Sequence, residues 1–97
     1  MVEIVSSETF DRWLRGLRDR QARARILVRI DRLAAGNPGD IKPVGGGVSE
    51  MRIDHGPGYR VYLMQKGAVL AVLLAGGDKS TQAADIARAK AIAQEWE

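Results

Sequence analysis

The chain has no cysteine and a single histidine, His55. The first absence excludes disulfides, thiolate metal ligands and thiol nucleophiles, and the second excludes a histidine-rich zinc site. Chemistry therefore falls to Arg, Lys, Tyr, Asp, Glu, Ser or that one imidazole, and neither a metal nor another cofactor is expected. No apolar run approaches the roughly 20 residues that a membrane span needs. The start, "MVEIVSSETF", lacks the basic and then apolar segments of a secretory signal. A soluble, cytoplasmic protein without membrane contact is the expectation. Ninety-seven residues, 45% of them apolar, suit a single domain over residues 1–97 with one modest core. There is no internal repeat and no low-complexity tract.

What is present is arginine, unevenly placed. Residues 12–32 hold Arg12, Arg15, Arg18, Arg20, Arg23, Arg25, Arg29 and Arg32 against only Asp19 and Asp31, although the whole chain carries a formal charge of just +3. The remainder is net acidic. Such asymmetry suits a polyanion or an acidic partner, and it equally suits a solvated helix face, because arginine is a good helix former.

Periodicity divides the chain into two halves. "VEIV" (Val2 to Val5) predicts a short strand, with Ser6 or Ser7 capping a helix whose Phe10, Trp13, Leu14 and Leu17 form one stripe. A second helix is expected from Asp19 to Ala35. Ala22, Ile26, Leu27, Ile30, Leu33 and Ala34 would face inward, and Arg25, Arg29 and Arg32 would share another face. Gly36 and the turn "NPGD" close it. After the triple glycine at 45–47 the period becomes 2, predicting strands over Val48–His55, Tyr59–Gln65 and Ala68–Ala75. The last is apolar on both faces and should be central. "GGDKSTQ" breaks it, and Ser80 or Thr81 caps a final helix to Glu95, with Ala83, Ile86, Ala89, Ala93 and Trp96 inward.

Strand register then groups the polar residues. Burying Met51, Ile53, Val61 and Leu63 together sets Ile53 opposite Val61 and Met51 opposite Leu63, with Gly56-Pro57-Gly58 as the loop. Asp54 then lies opposite Arg60, and Arg52 opposite Tyr62. Lys66-Gly67 predicts a two-residue hairpin with Leu63 opposite Leu70 and Tyr62 opposite Ala71. One sheet face would pack the helices, and the other would present Arg52, Asp54, Arg60 and Tyr62 around small Ala71. Arginine forks match phosphate oxygens and tyrosine can stack on a base. An exposed Asp54–Arg60 pair on a polar strand face is the plainer alternative.

The element order, with "EMRIDHGPGYRVY" and "LLAGGDKSTQAADIARA", resembles the RelE/ParE superfamily of toxins from type II toxin-antitoxin modules, and within it the HigB-like "addiction module killer protein" branch. The likeness spans nearly the whole chain. It implies an α+β domain in which an N-terminal strand and helix hairpin pack on an antiparallel sheet, with a C-terminal helix. It further implies a metal-independent endoribonuclease that enters the ribosome and cuts messenger RNA, thereby inhibiting translation. A cognate antitoxin, a helix-turn-helix protein, would be its partner beside mRNA and rRNA. By motif position, Arg52, Arg60 and Lys79 fall on the basic residues that surround the scissile phosphate in the family. Some relatives carry a tyrosine or histidine near the start of the last helix, where this chain has neither.

Without a metal, RNA cleavage uses the 2′-hydroxyl as nucleophile on the adjacent phosphate, leaving a cyclic phosphate and a 5′-hydroxyl. Arg52, Arg60 and Lys79 would stabilise the charged phosphorane. Arginine is a poor base, so the base must come from Lys79, His55, Asp54 or the ribosome. Asp54, His55 and Tyr62 are therefore the further catalytic or substrate-binding candidates. Gly77, within "GGDK", is a candidate phosphate cradle ahead of a helix N-terminus, or else the glycine of a strand-to-helix turn. Arg25, Arg29 and Arg32 form the candidate surface for the partner or rRNA. Two other functions remain open: a non-enzymatic ParE-like toxin that binds DNA gyrase, and a non-toxic basic RNA-binding module.

Overall fold

The computed structural model describes residues 1–96. Its elements run β1 (Glu3–Ser6), α1 (Glu8–Gly16), α2 (Arg20–Ala34), β2 (Ile41–Gly45), β3 (Val48–Ile53), β4 (Tyr59–Lys66), β5 (Leu70–Gly77), a 3-10 turn (Lys79–Thr81) and α3 (Gln82–Glu95). The sheet has five strands in the order β1-β5-β4-β3-β2. β1 runs parallel to β5 and the other neighbours are antiparallel. The sheet is thus mixed, which corrects the expected antiparallel one: hairpins enforce antiparallel pairing, but β1 reaches β5 only after the rest of the chain has intervened. Among the described residues no helix is long and apolar enough to cross a membrane.

Local signals position the helices. Ser7 caps α1 by accepting from the Phe10 N–H at 3.0 Å, while its own hydroxyl donates to the Leu74 carbonyl at 2.6 Å. That one side chain fixes the start of α1 to β5. Asp19 caps α2, accepting from the Gln21 and Ala22 N–H groups. Ala22, Ile26 and Leu33 form the buried stripe of α2. Leu27, expected inward, is 45% exposed; it lies about 100° around the helix from Ile26 and so falls outside that stripe. Ala83 of α3 is likewise exposed, because Asp85, Ala89 and Ala93 at four-residue spacing set the inward face.

Both faces of the sheet are covered. α1 and α2 close one face over Phe10, Ile26, Met51, Ile53, Val61, Leu63 and Leu73. α3 closes the other over Val48, Tyr62, Met64, Val72, Leu74 and Ala75. β5 has neighbours on both sides and Ala71 to Ala75 are all buried, as its two-sided apolar pattern requires. Tyr62, expected at the surface beside Ala71, is fully buried beneath α3 instead.

Both registers depart from expectation, and only the one between β3 and β4 preserves the faces. Ile53 pairs with Tyr59 and Met51 with Val61, so Arg52 stands opposite Arg60 and Glu50 opposite Tyr62. The slip is by two residues, and period 2 leaves Met51, Ile53, Val61 and Leu63 on one face. Asp54 leaves the ladder because the turn is wider: the Gly58 N–H bonds the His55 carbonyl, with Gly56 and Gly58 at φ 57° and 81°. Between β4 and β5 the loop is Gly67 to Val69, with Lys66 opposite Leu70. An irregularity after Tyr62 then sets Tyr62 opposite Ala75 and Leu63 opposite Leu73. That bulge absorbs Leu74 and reverses which face the end of β5 presents.

β2 was not anticipated. "IKPVG" contains Pro43, which lacks the N–H that an interior strand needs; β2 is an edge strand, where proline is tolerated.

The two neighbouring residues Ile26 and Leu27 should respond oppositely to truncation. Ile26→Ala should cost about 2–5 kcal/mol through the cavity it leaves. Leu27→Ala should stay within about 0.5 kcal/mol. Urea unfolding midpoints check both.

Candidate RNA-binding cleft

Arg52 and Arg60 lie directly opposite each other on β3 and β4. Like charges in that position repel, and each guanidinium meets a different carboxylate. Arg52 donates from Nε and Nη2 to Oδ1 of Asp40 at 3.2 and 2.9 Å. Arg60 Nη1 stands 3.9 Å from Oε1 of Glu50. The first pair is exposed and the second is not: Glu50 is fully buried and the Arg60 side chain is 13% exposed.

Glu50 anchors a buried polar cluster. Its Oε2 accepts from the Gln82 amide at 2.7 Å and from the Tyr62 hydroxyl at 3.3 Å, while Oε1 has Arg60 as its charge partner but no hydrogen bond. The Arg60 Nε–H is also buried without a partner. Burial, and then the Glu50 charge, push the Tyr62 phenol well above its ordinary range. Tyr62 is therefore a neutral donor to Glu50, and its candidacy as a surface group that touches substrate is corrected.

Three separate segments bring the cationic candidates to one cleft of about 550 Å³. Arg52 and Arg60 come from the strands and Lys79 from the turn after β5, with Asp40, Asp54 and the hairpin tip completing the walls. Gly58 makes the approach: its φ is +81°, and a Cβ there would lie 3.6 Å from Lys79 Cβ. Lys79 is exposed, inside a turn that Asp78 caps by accepting from the Ser80 N–H at 2.8 Å. Asp54 lines the same cleft and is exposed. The Arg52–Asp40 pair is exposed and screened by solvent, so an incoming phosphate can take Asp40's place.

The other candidates lie elsewhere. His55 Nε2 is 3.1 Å from Oδ2 of Asp19; it ties the β3–β4 hairpin to the α2 cap and does not line the cleft. Gly77 is buried on the last position of β5, where a Cβ would fall 1.8 Å from Oδ2 of Asp85. Its lack of a side chain makes room for that carboxylate, which Thr81 Oγ1 also binds at 2.5 Å. Arg29 turns inward, and its guanidinium donates to the carbonyls of Arg52, Pro38 and Asp40. It fastens α2 to β3 and the β2 approach, while Arg25 and Arg32 stay exposed along a groove of about 350 Å³ with Val28. That groove shares Ile53 and Asp54 with the cleft.

Sequence reasoning missed Glu50, Asp40 and Gln82. Glu50 carried a usable signal, since it lies in phase with Arg52 on a strand whose other phase is apolar. Among the described residues no three His, Asp or Glu side chains cluster as metal ligands would.

Residues 12–97 match the family described as Phage derived protein Gp49-like (DUF891). An uncharacterized protein of Haemophilus influenzae is 54% identical over 94 residues, which cover 97% of this chain and 95% of that relative. No solved structure matches the chain.

Two outcomes follow from this electrostatic arrangement. Arg60→Ala should lower stability by about 3–5 kcal/mol, because it strands the buried Glu50 charge; the double variant Glu50→Gln/Arg60→Met should recover much of the loss in urea unfolding. Acid should act on the exposed pairs. The Ala22 N–H and then His55 hold the Asp19 carboxyl below its usual 3.8, and the Arg52 hydrogen bond does the same for Asp40. Both groups bind protons more weakly when folded, so their stabilisation is present above about pH 4 and is lost as pH falls through the depressed values. Asp19→Asn should flatten part of that acid limb in unfolding measured from pH 6 to 2.

Proposed function

The chain belongs to the Phage derived protein Gp49-like family, and we propose that it is a toxin-type endoribonuclease that cuts messenger RNA on the ribosome without a metal. The observation that supports this reading is the convergence of Arg52, Arg60 and Lys79 on one open cleft. The likeness to RelE/ParE toxins of the HigB-like branch supplies the substrate and the setting.

In this mechanism the RNA 2′-hydroxyl attacks the adjacent phosphorus, forming the P–O2′ bond while the P–O5′ bond breaks. Arg52 and Arg60 donate to the non-bridging oxygens, where charge grows in the phosphorane. Asp54, which makes no ion pair among the described residues, takes the 2′-proton. The Lys79 ammonium gives a proton to the departing 5′-oxygen. Glu50 holds Arg60 from behind, with Gln82 and Tyr62 keeping that carboxylate in place. The groove with Arg25 and Arg32 extends the cationic path beyond the cleft, toward rRNA or an antitoxin of helix-turn-helix type.

Lys79 is the residue of choice for a test, since it is exposed and holds no buried charge. Inducing the natural protein in cells should stop growth and leave messages cut to 2′,3′-cyclic phosphate ends. Lys79→Ala should cut at least about 100-fold more slowly, restore growth and leave the unfolding midpoint unchanged. Growth arrest with intact messages and inhibited supercoiling would replace this reading with the gyrase-binding one. Harmless expression of the folded natural chain would leave only the non-toxic binding module.

A further inference from the structure

β1 ends at Ser6 opposite Leu73, whereas β5 continues to Gly77. The last four residues of β5 therefore have no strand on the β1 side. Ser7 takes up the Leu74 carbonyl there. Beyond it a second pocket of about 530 Å³ opens, lined by Thr9, Arg12, Trp13, Gly76 and Arg88. We infer that this pocket is a nucleotide subsite, in which a base of single-stranded RNA stacks on Trp13 while Arg12 and Arg88 hold its flanking phosphates; this rests on the RNA-cleaving reading.

The lining carries the inference. The Trp13 ring lies directly on the strand: a Cβ on Gly76 would fall 2.1 Å from its Cε3. The indole is partly exposed and is braced by Phe10 at 5.8 Å and, edge-on, by Tyr59 at 6.3 Å between ring centroids. A braced aromatic ring is a stacking platform that any base can use. Two guanidinium groups stand around it and no carboxylate lines the pocket. Arg12 is paired with Glu8 at 2.9 Å, but both side chains are more than 70% exposed, so a phosphate can displace that partner. Arg88 makes no ion pair among the described residues. The Thr9 hydroxyl adds a donor and acceptor for a base edge.

Placement links the pocket to the cleft. Gly76 pairs with Val61 and Gly77 with Arg60, so Trp13 meets this strand pair one rung from Arg60 and on the opposite face of the sheet. Tyr59, which braces Trp13, immediately precedes Arg60. A strand with its scissile phosphate at Arg60 and Lys79 would pass around the end of the sheet to bring a neighbouring nucleotide to Trp13.

Trp13 and Trp96 are the only tryptophans, which makes the test direct. In a Trp96→Phe background, a 2′-O-methyl RNA hexamer, which cannot be cleaved by 2′-hydroxyl attack, is titrated against Trp13 fluorescence. Saturable quenching is expected, about 10-fold weaker in Arg88→Ala and in Arg12→Ala, and unchanged in Arg20→Ala, an exposed arginine that lines neither the pocket nor the cleft. An abasic sugar-phosphate hexamer should bind without quenching. Hexamer binding that leaves Trp13 fluorescence untouched, or equal quenching by the abasic strand, would overturn the subsite. A mononucleotide that binds as tightly as the hexamer would overturn it in favour of a free-nucleotide site. The two readings fail separately: message cleavage without quenching sinks the subsite alone, and quenching without cleavage sinks the nuclease alone.

Discussion

Two guanidinium groups facing each other across a strand pair are the constraint from which the rest of the cleft follows. Arg52 and Arg60 occupy the same rung, and their repulsion has to be offset locally or the register would slip. The two carboxylates that offset it differ in kind. Asp40 arrives from the edge of the sheet and is open to solvent, so its hold on Arg52 is weak and exchangeable. Glu50 is sealed beneath α3 with Gln82 and Tyr62 as donors, so it cannot leave Arg60. One arginine is thus held to the fold and the other is free to trade partners. Such an arrangement keeps the pair together in the absence of an anion and still lets an anion enter between them.

Burying Glu50 constrains the strands around it. Its carboxylate needs the Tyr62 hydroxyl and the Gln82 amide at once, which ties β3, β4 and α3 together. The bulge after Tyr62 serves the same end, because it lets Tyr62 face α3 beside Ala75 while Leu63 still meets Leu73 on the opposite core face. Past the bulge, Gly76 turns toward Trp13 and Gly77 toward Asp85. Each glycine is needed for the atom pressed against it. A side chain at either position would drive apart an aromatic or an acidic contact that helps set the end of the sheet.

The legible parts of this fold were those governed by period. The stripe of Ala22, Ile26 and Leu33, a serine cap at Ser6 or Ser7, and the two-sided apolar β5 follow from spacing and turn chemistry alone. Assigning Met51, Ile53, Val61 and Leu63 to one core face survived a register that was two residues out, since parity and not pairing decides the face. What period could not reveal was which polar phase is covered. Tyr62 and Glu50 alternate with core residues as solvent-facing groups would, and only α3, distant in sequence, buries them. The parallel partnership of β1 with β5 and the edge strand β2 are likewise set by tertiary closure. His55 drew notice as the lone imidazole, yet the wide turn that carries it delivers it to Asp19.

Arginine count also overstates the available charge. Arg29 is committed to three carbonyls and Arg23 to the Leu17 carbonyl, so part of the dense run over residues 12–32 fastens α2 rather than meeting a ligand. Arginine suits this work because its planar fork can satisfy several carbonyls from one side chain. Of the arginines in that run that stay exposed, Arg25 and Arg32 line the groove beside the cleft and Arg12, with Arg88 from α3, lines the pocket beyond the end of β1, while Arg15, Arg18 and Arg20 line neither. Arg52, Arg60 and Lys79 line the cleft itself. Positive charge thus gathers in three separate patches while the whole chain stays at only +3. Specific placement, rather than overall basicity, is what this surface would offer to the proposed RNA.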